Sequence, residues 1–385
     1  MEDAERYRVA LLDWLACAAG GWGEPAARAA RAGADRVAAL GAAGHVLDFD
    51  DTWLPGIAHL SAPTAPAALV LAAECGDTVG DALRAYAAGF EAMAALAGAG
   101  HPALYDGGWH PTAVCGTVGA AIAAAELVSL DRGTREAAAG IAALRAAGLR
   151  AAFGADGKAL QVGLAASAGV TAARLAAAGA RVEAPRIRAG WEQAYGAAWA
   201  SERATPAIRE NWIKAYPCCL QTHGAIECAD AVRGHGAIER AEAGALPVGA
   251  IEVHAHPVSR QAASYDDVGT PLEAKFSIPY TTAYTLLHGP PTVASFAGLD
   301  DAARALARRI AVRTDAALGE SEFGLLAGGR ELARVQAARG SPVRPLSAEQ
   351  LAGKVGSLAG TQLDGALDDR ERPAAEVLEW LLSRG

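Results

Sequence analysis

The sequence predicts a mainly α-helical protein with a large all-helical domain and a smaller α+β domain. The first half of the chain is a succession of apolar, alanine-rich segments, and residues 82–97 repeat large apolar side chains every three or four positions. That spacing is typical of a helix that packs one face into a core. Later in the chain, Ile251–His256 alternates apolar and polar residues, which is the pattern of a β-strand. A helical first half and a mixed second part therefore predict two different kinds of domain.

Chain length and a change in composition predict where these domains meet. With 385 residues, the chain exceeds the roughly 100–200 residues of an ordinary single domain. We expect residues 1–210 to form the helical domain and residues 211–342 to form the α+β domain, because strand patterns begin only after residue 200. A Ser/Pro-containing linker at 341–345 precedes further helical patterns, so residues 343–385 are expected to return to the helical domain.

Charge and motif content exclude several classes of function. The chain has 34 Lys and Arg residues against 43 Asp and Glu residues, which gives a net charge of −9. The sequence contains no stripe of basic residues, so we expect no nucleic-acid partner. No uncharged stretch reaches the roughly 18 strongly apolar residues of a membrane span, so we expect no membrane partner. The sequence also lacks the glycine motifs of dinucleotide sites, phosphate loops and serine hydrolases.

Cysteine usage and the N-terminal segment predict a cytoplasmic protein. The six cysteines lack the spacing of a disulfide framework, and a chain of this length can form a core without disulfide bonds. The apolar run Val9–Gly20 is interrupted by Asp13 and Trp14 and has helical spacing, so we interpret it as a helix rather than a signal peptide.

Because the net charge is negative, an anionic ligand would need cations gathered locally in a pocket.

The most unusual segment is residues 45–53, where three carboxylates stand within four positions. Asp50, Asp51 and Thr52 are residue types that cap helices well. Clustered carboxylates also suit hard divalent cations. A third interpretation is a site in which Asp48 and its neighbours hydrogen-bond a substrate or orient a catalytic histidine. Spacing alone favours capping and leaves the other two interpretations open.

Two histidines lie in segments rich in glycine or proline. His59 is followed by a Ser/Pro-containing segment, and His110 stands in a Gly/Pro loop directly before an apolar helix. A histidine at a helix N-terminus meets the positive end of the helix dipole, which favours a neutral imidazole or a bound anion. The alternative for each residue is an ordinary histidine in a surface loop.

Lysines near apolar segments are candidate cations for a carboxylate ligand. Lys158 opens the most apolar helix of the chain, and it is either a solvated helix cap or a cation over the helix end. Lys214 and His223 flank the pair Cys218-Cys219 at the predicted domain junction. Zinc usually needs four ligands, and no second pair of ligating residues stands at a suitable spacing, so we predict no metal there.

These motifs together resemble the MmgE/PrpD family, and the matches run in order from about residue 10 to residue 360. The resemblance is carried by His45-Val-Leu-Asp-Phe-Asp-Asp-Thr52, His59 with the Ser/Pro segment, Gly108-Trp-His-Pro-Thr112, Gly116-Thr-Val-Gly119, Lys158 with Gly163-Leu-Ala-Ala166, Lys214-Ala-Tyr-Pro-Cys-Cys219 with His223, and Pro271 to Tyr280. The family includes 2-methylcitrate dehydratase, cis-aconitate decarboxylase and iminodisuccinate epimerase.

The resemblance also implies an architecture and a set of partners. The expected fold is a large all-helical domain plus a smaller α+β lid domain, with the active site between the two and usually a homodimer as the assembly. The expected substrate is a small anionic carboxylate. No metal and no organic cofactor are expected.

The resemblance assigns roles to individual residues of this sequence. It implies that the pocket is lined by Asp48, Thr52, His59, His110, Lys158 and Lys214. We expect the catalytic residues to be His59, His110, Lys158 and Lys214. We expect the substrate-binding residues to be Asp48, Thr52 and His223.

The predicted function is a lyase that dehydrates or decarboxylates a citrate- or aconitate-like acid. Histidines would act as general acid and base, while lysines would stabilise carboxylate and enolate charge. One alternative is an epimerase or isomerase that acts on a succinate-like acid with the same residues. The other is a non-catalytic protein that binds carboxylates.

Overall fold

The computed structural model describes residues 1–234, 251–360, 363 and 365–384. The chain forms two compact units. Unit 1 comprises Met1–Ala152, Asp156–Ile213 and Ser347–Gly385, and unit 2 comprises Phe153–Ala155 and Lys214–Leu346. Residues 235–250 of the predicted α+β domain lie outside the described residues. The predicted fold class, mainly α with a smaller α+β part, is confirmed.

The described helices and strands are numbered here in chain order. The helices are α1 (Asp3–Gly21), α2 (Pro25–Gly33), α3 (Arg36–Val46), α4 (Ser61–Cys75), α5 (Val79–Gly100), α6 (Ala103–Asp106), α7 (Pro111–Leu127), α8 (Arg132–Ala143), α9 (Gly157–Ala177), α10 (Ala184–Tyr195), α11 (Leu220–Ala231), α12 (Pro257–Ala262), α13 (Pro271–Ala274), α14 (Ile278–His288), α15 (Asp301–Ala307), α16 (Ala348–Ala359) and α17 (Ala374–Leu382). The strands are β1 (Thr52–Trp53), β2 (Asn211–Trp212), β3 (Ile251–Ala255), β4 (Ile310–Thr314), β5 (Phe323–Ala327) and β6 (Arg330–Val335).

Unit 1 packs its helices around an alanine-rich core. The helix predicted over 82–97 lies within α5, which begins at a capping box where Thr78 and Asp81 satisfy each other's backbone N–H groups. α5, α4 and α9 all pack against α7, whose residues are buried nearly all round. Helices that are apolar on every face are expected in this position, since other helices surround them.

The α9 helix is the one described helix that is long and apolar enough, by length and composition, to cross a membrane. In unit 1 it packs against α3, α7 and α8, and more than half of its apolar window is buried. Contact with neighbouring helices accounts for its apolar composition.

The α3 and α9 helices cross at a contact between two glycines. A Cβ atom on Gly163 would lie 2.2 Å from the carbonyl oxygen of Ala38, and one on Gly41 would lie 2.8 Å from the Cα atom of Gly163. Only glycine lets two backbones approach this closely. The crossing fixes the start of α9, which carries Lys158, relative to the end of α3, which carries His45.

Unit 2 contains a four-stranded sheet among its described residues, in the order β4-β3-β5-β6. β3 pairs with β4 in parallel and with β5 antiparallel, and β5 pairs antiparallel with β6. The predicted strands at 251–256 and 310–313 are confirmed. The β5–β6 hairpin was not predicted. Its turn, Gly328-Gly329, has positive φ at both residues, which suits a tight hairpin.

We predict that Gly163→Ala lowers the free energy of unfolding by about 1–3 kcal/mol, because the new methyl group must push α9 away from α3. Urea unfolding of both proteins gives the difference. The matched control is Gly190→Ala in α10, where a Cβ atom would meet nothing within 4 Å. That variant is expected to gain up to about 1 kcal/mol from helix propensity. Equal stability of the two variants would contradict the close crossing.

Candidate active site

The segment between α3 and β1 carries the carboxylates that the sequence singled out. Asp48 adopts a left-handed backbone conformation with φ +53°, which is uncommon for a residue other than glycine. Asp48, Asp50 and Asp51 are all buried. Buried carboxylates need partners, because an uncompensated charge inside a protein is strongly destabilising. Their partners define the site.

Asp48 and Asp50 belong to one network with a histidine and a lysine. The carboxylate of Asp50 accepts a hydrogen bond from Nδ1 of His45 at 2.8 Å. The other ring nitrogen of His45, Nε2, lies 2.8 Å from Nζ of Lys158, which also donates to Asp48 at 2.6 Å. An ammonium group can only donate, so His45 must carry its proton on Nδ1 and a lone pair on Nε2.

His59 joins the same network from the segment after β1. Its Nδ1 lies 3.2 Å from Oδ2 of Asp50, and its Nε2 lies 3.9 Å from Oδ1 of Asp48. The first distance is short enough for a hydrogen bond, and hydrogen bonding to His59 is one of the causes that lower the pKa of Asp50. The second distance is too long for a hydrogen bond. Asp50 therefore accepts from Nδ1 of both His45 and His59, and the His59 tautomer that this favours has its lone pair on Nε2. Nδ1 of His59 also lies 3.5 Å from the hydroxyl group of Thr52.

His110 is held differently, at the N-cap of α7. Its ring stacks beside that of His45, with centroids 5.9 Å apart. The amide Nε2 of Gln161, on α9, lies 2.7 Å from Nδ1 of His110. An amide nitrogen donates hydrogen bonds and does not accept them, so Nδ1 of His110 is the acceptor.

Electrostatics keep two imidazoles neutral and one carboxylate ionised. Burial lowers the pKa of His45, and burial together with the charge of Lys158 lowers the pKa of His110 well below its usual range. Burial alone would raise the pKa of Asp50, but hydrogen bonds from His45 and His59, and the positive charge these rings carry when they are protonated, hold it well below its usual range.

Asp51 faces a separate set of partners. It accepts hydrogen bonds from the hydroxyl group of Ser61 at 2.8 Å and from the amide of Asn211 at 2.7 Å. The Ser61 hydroxyl group also contacts the Tyr86 hydroxyl group at 2.6 Å. Burial raises the pKa of Asp51 to about 7, and the charge of Asp50 contributes in the same direction. Asp51 joins β2 and α4 to the segment that carries Asp48 and Asp50.

Lys354, on α16, also supports the segment that carries Asp48 and Asp50. Its Nζ donates to the carbonyl oxygen of Phe49 at 2.8 Å and forms an ion pair with Asp13 of α1 at 2.6 Å. Lys354 and Asp13 are both buried. Because removing one partner would leave the other charge buried, the pair couples α1 and α16 to the backbone between Asp48 and Asp50.

In unit 2, Lys214 and His223 are both buried. His223 lies on α11, and its Nε2 donates to the carbonyl oxygen of Cys218 at 3.3 Å. The ring of Tyr216 packs edge-on against that of His223, with centroids 5.0 Å apart. These contacts fix the orientation of His223 within its own unit.

His45, Asp50 and His59 form a group that could hold a divalent metal, since their ligand atoms lie within 4.8 Å of one another. Two nitrogens and one carboxylate oxygen are suitable donors for zinc or iron. The observed separations of 2.8 and 3.2 Å between each nitrogen and Oδ2 are hydrogen-bond distances. Hydrogen bonding by Asp50 therefore accounts for the geometry of this group.

The structure brings together, in unit 1, Asp48, Thr52, His59, His110 and Lys158. Sequence reasoning assigned no site role to His45, Asp50 or Gln161. His45 and Asp50 stand in the recognised motif, so their pattern was visible. Gln161 had a weaker signal: it lies three residues after Lys158, and residues at that spacing share one helix face.

A buried group of imidazoles, carboxylates and an ammonium on a helical scaffold is typical of an enzyme that moves protons. Residues 34–201 match the MmgE/PrpD N-terminal domain, and residues 216–380 match the MmgE/PrpD C-terminal domain. These matches cover most of the chain, which therefore belongs to the MmgE/PrpD family. Membership supports a lyase- or dehydratase-type activity in general. A comparison with curated proteins found no match.

We predict that Asp51→Asn removes a pH dependence of stability. The pKa of Asp51 is about 7 in the folded protein against an ordinary value of 3.8. Between these values the folded state binds more protons than the unfolded state, so the free energy of unfolding falls as pH rises. The stability of the parent relative to Asp51→Asn should fall by up to about 1.4 kcal/mol per pH unit from about pH 5 to pH 7. Urea unfolding at each pH measures it, and a constant difference would contradict the assignment.

Proposed function

We propose that this chain is a lyase that dehydrates or decarboxylates a small di- or tricarboxylate by moving a proton at carbon. The observation that carries the proposal is the buried network in which the ammonium of Lys158 contacts both His45 and Asp48. It places a cation and neutral imidazoles in one site, which is the combination that proton transfer beside a carboxylate requires.

Lys158 supplies the positive charge. Removing a proton from the carbon beside a carboxylate sends the electron pair into that carboxylate as an enolate-like state. A fixed ammonium in a buried site stabilises this charge more than water does, since the local dielectric is low. The contact with Asp48 at 2.6 Å holds the lysine side chain in place.

His59 is the base in this proposal. Asp50 accepts the proton-bearing Nδ1, so Nε2 carries the lone pair that takes the proton from carbon. The Asp50 carboxylate stabilises the imidazolium that forms, as the aspartate of a Ser-His-Asp triad does. In a dehydration, His59 returns this proton to the departing hydroxyl group, which leaves as water. In a decarboxylation, the bond between carbon and the departing carboxylate breaks and carbon dioxide leaves. The carbon that keeps the electron pair then takes a proton from His59, which in this reaction first binds that proton from solvent at Nε2 and so returns to its neutral form.

His110 is a hydrogen-bond donor to the developing charge. Its pKa lies well below its usual range because it is buried and close to Lys158, so the ring is neutral at pH 7. A neutral imidazole at a helix N-terminus can polarise an oxygen of the substrate without giving up its proton. Lys214 and His223 keep the roles predicted from the sequence, as a cation for carboxylates and as a hydrogen-bonding group.

The same geometry favours one second candidate, an epimerase of a succinate-like acid. His59 and His110 both lie beside His45, with ring centroids 4.5 and 5.9 Å from it. Two imidazoles around one site can serve the two faces of a carbon atom. This reaction would exchange the proton at that carbon without loss of water or carbon dioxide.

Proton NMR in D₂O with a panel of citrate-like and succinate-like acids tests the proposal. We expect at least one acid to lose water, or to lose carbon dioxide with deuterium entering at the carbon that carried the lost carboxylate. Deuterium exchange alone would support the epimerase. Saturable binding of an acid without exchange or product would contradict both enzymatic functions. The rate should be unchanged after dialysis against EDTA, because the nitrogens of His45 and His59 that could bind a metal donate hydrogen bonds to Asp50 instead.

The role of His59 is tested in the same assay. His59→Gln removes the base and keeps a polar side chain, so the rate should fall by about 10²–10⁴-fold. The control is His288→Gln at a partly exposed histidine of unit 2 that pairs with Asp300. His288→Gln should keep the rate of the parent. A rate within a few-fold of the parent for His59→Gln would contradict its role.

A further inference from the structure

We infer that Gln161 is a positioning residue that holds His110 in the tautomer with its proton on Nε2. Gln161 lies one turn after Lys158 on α9, on the same side of the helix. It makes three hydrogen-bonding contacts, one to the ring of His110 and two to the backbone of Leu149. The inference rests on the proposed function only for the consequence of that tautomer in catalysis.

The backbone of Leu149 fixes which way the Gln161 amide points. The N–H group of Leu149 donates to Oε1 of Gln161 at 2.8 Å, and Nε2 of Gln161 donates to the carbonyl oxygen of Leu149 at 3.2 Å. Rotating the amide by half a turn would place its NH₂ group against the Leu149 N–H group, which are two donors, and its oxygen against the Leu149 carbonyl oxygen, which are two acceptors. The second hydrogen of Nε2 is therefore the one that reaches His110.

The backbone of Leu149 is itself held by pairing with the loop that carries His110. The N–H group of His110 donates to the carbonyl oxygen of Gly148 at 3.0 Å, and that of Arg150 donates to the carbonyl oxygen of Gly108 at 3.0 Å. This pairing holds the Leu149 backbone, the Gln161 amide and the His110 imidazole in fixed positions relative to one another. Hydrogen bonds of this kind, from a second layer of residues, commonly orient a functional histidine.

The consequence is a specific protonation of His110. Nδ1 accepts a hydrogen bond from Gln161 at 2.7 Å, so the neutral ring must carry its hydrogen on Nε2. Protonating Nδ1 would place two donors against each other at that distance, so the amide also opposes the imidazolium form. Burial and the charge of Lys158 lower the pKa of His110 in the same direction.

His59 and His110 therefore have opposite tautomers, because His59 faces a hydrogen-bond acceptor and His110 faces a hydrogen-bond donor. The Asp50 carboxylate draws the proton of His59 to Nδ1, whereas the Gln161 amide drives the proton of His110 to Nε2. In the proposed reaction, His59 then offers a lone pair at Nε2 and His110 offers an N–H donor at Nε2. Gln161 would distinguish the two roles without contacting substrate.

The test is Gln161→Glu, which replaces the donor with a carboxylate acceptor of the same length. The carboxylate should draw the proton of His110 to Nδ1 and remove the N–H group from Nε2. We expect the ¹⁵N resonances of His110 at about pH 8 to change from the Nε2–H to the Nδ1–H pattern, assigned by comparison with His110→Gln. We expect kcat to fall by about 10²-fold, the typical loss of one donor to developing charge, with a smaller change in KM.

Thr171→Glu is the matched control, since it adds the same charge at an exposed position of α9. It should leave both the ¹⁵N pattern and kcat unchanged. An Nδ1–H pattern for His110 in the parent, or an unchanged pattern in Gln161→Glu, would overturn the inference whether or not the chain is a lyase. A changed pattern with no effect on kcat would support the positioning of His110 and contradict its proposed role in the reaction.

Discussion

The rest of the site depends on the carboxylate of Asp50, a buried charge that accepts hydrogen bonds from two imidazoles. Nδ1 of His45 and Nδ1 of His59 lie 2.8 and 3.2 Å from the same oxygen atom. These contacts offset the cost of burying the charge and settle where both rings carry their protons. Because His45 then presents a lone pair, it can contact Lys158, and Lys158 in turn holds Asp48.

This network couples elements that are far apart in the sequence. His45 ends α3, Lys158 begins α9, and both positions depend on the glycine contact where these helices cross. Small side chains are therefore a requirement of the site as well as of the core, since a wider crossing would separate the lysine from the imidazole. Lys354 and Asp13 add a second support, because they hold the backbone of Phe49 within the same segment.

Much of the fold follows from local patterns, while the partners within the site do not. Helices such as α5 and the strand β3 have a clear period of apolar residues, so the sequence alone predicted them. The hairpin of β5 and β6 was missed because β6 is rich in charged residues and shows little alternation. Asp48, His59, His110 and Lys158 could be named from motifs. The tautomers of the histidines could not, since they depend on Asp50 and Gln161 being brought against the rings by tertiary packing.

The central claim is that Asp50 directs the proton of His59 to Nδ1 and leaves Nε2 as the base. The most direct measurement is ¹⁵N NMR of the histidine-labelled parent protein at about pH 8, with His59 assigned by comparison with His59→Gln. The account predicts a neutral ring that is protonated at Nδ1 and unprotonated at Nε2. A neutral ring protonated at Nε2, or an imidazolium at that pH, would contradict it.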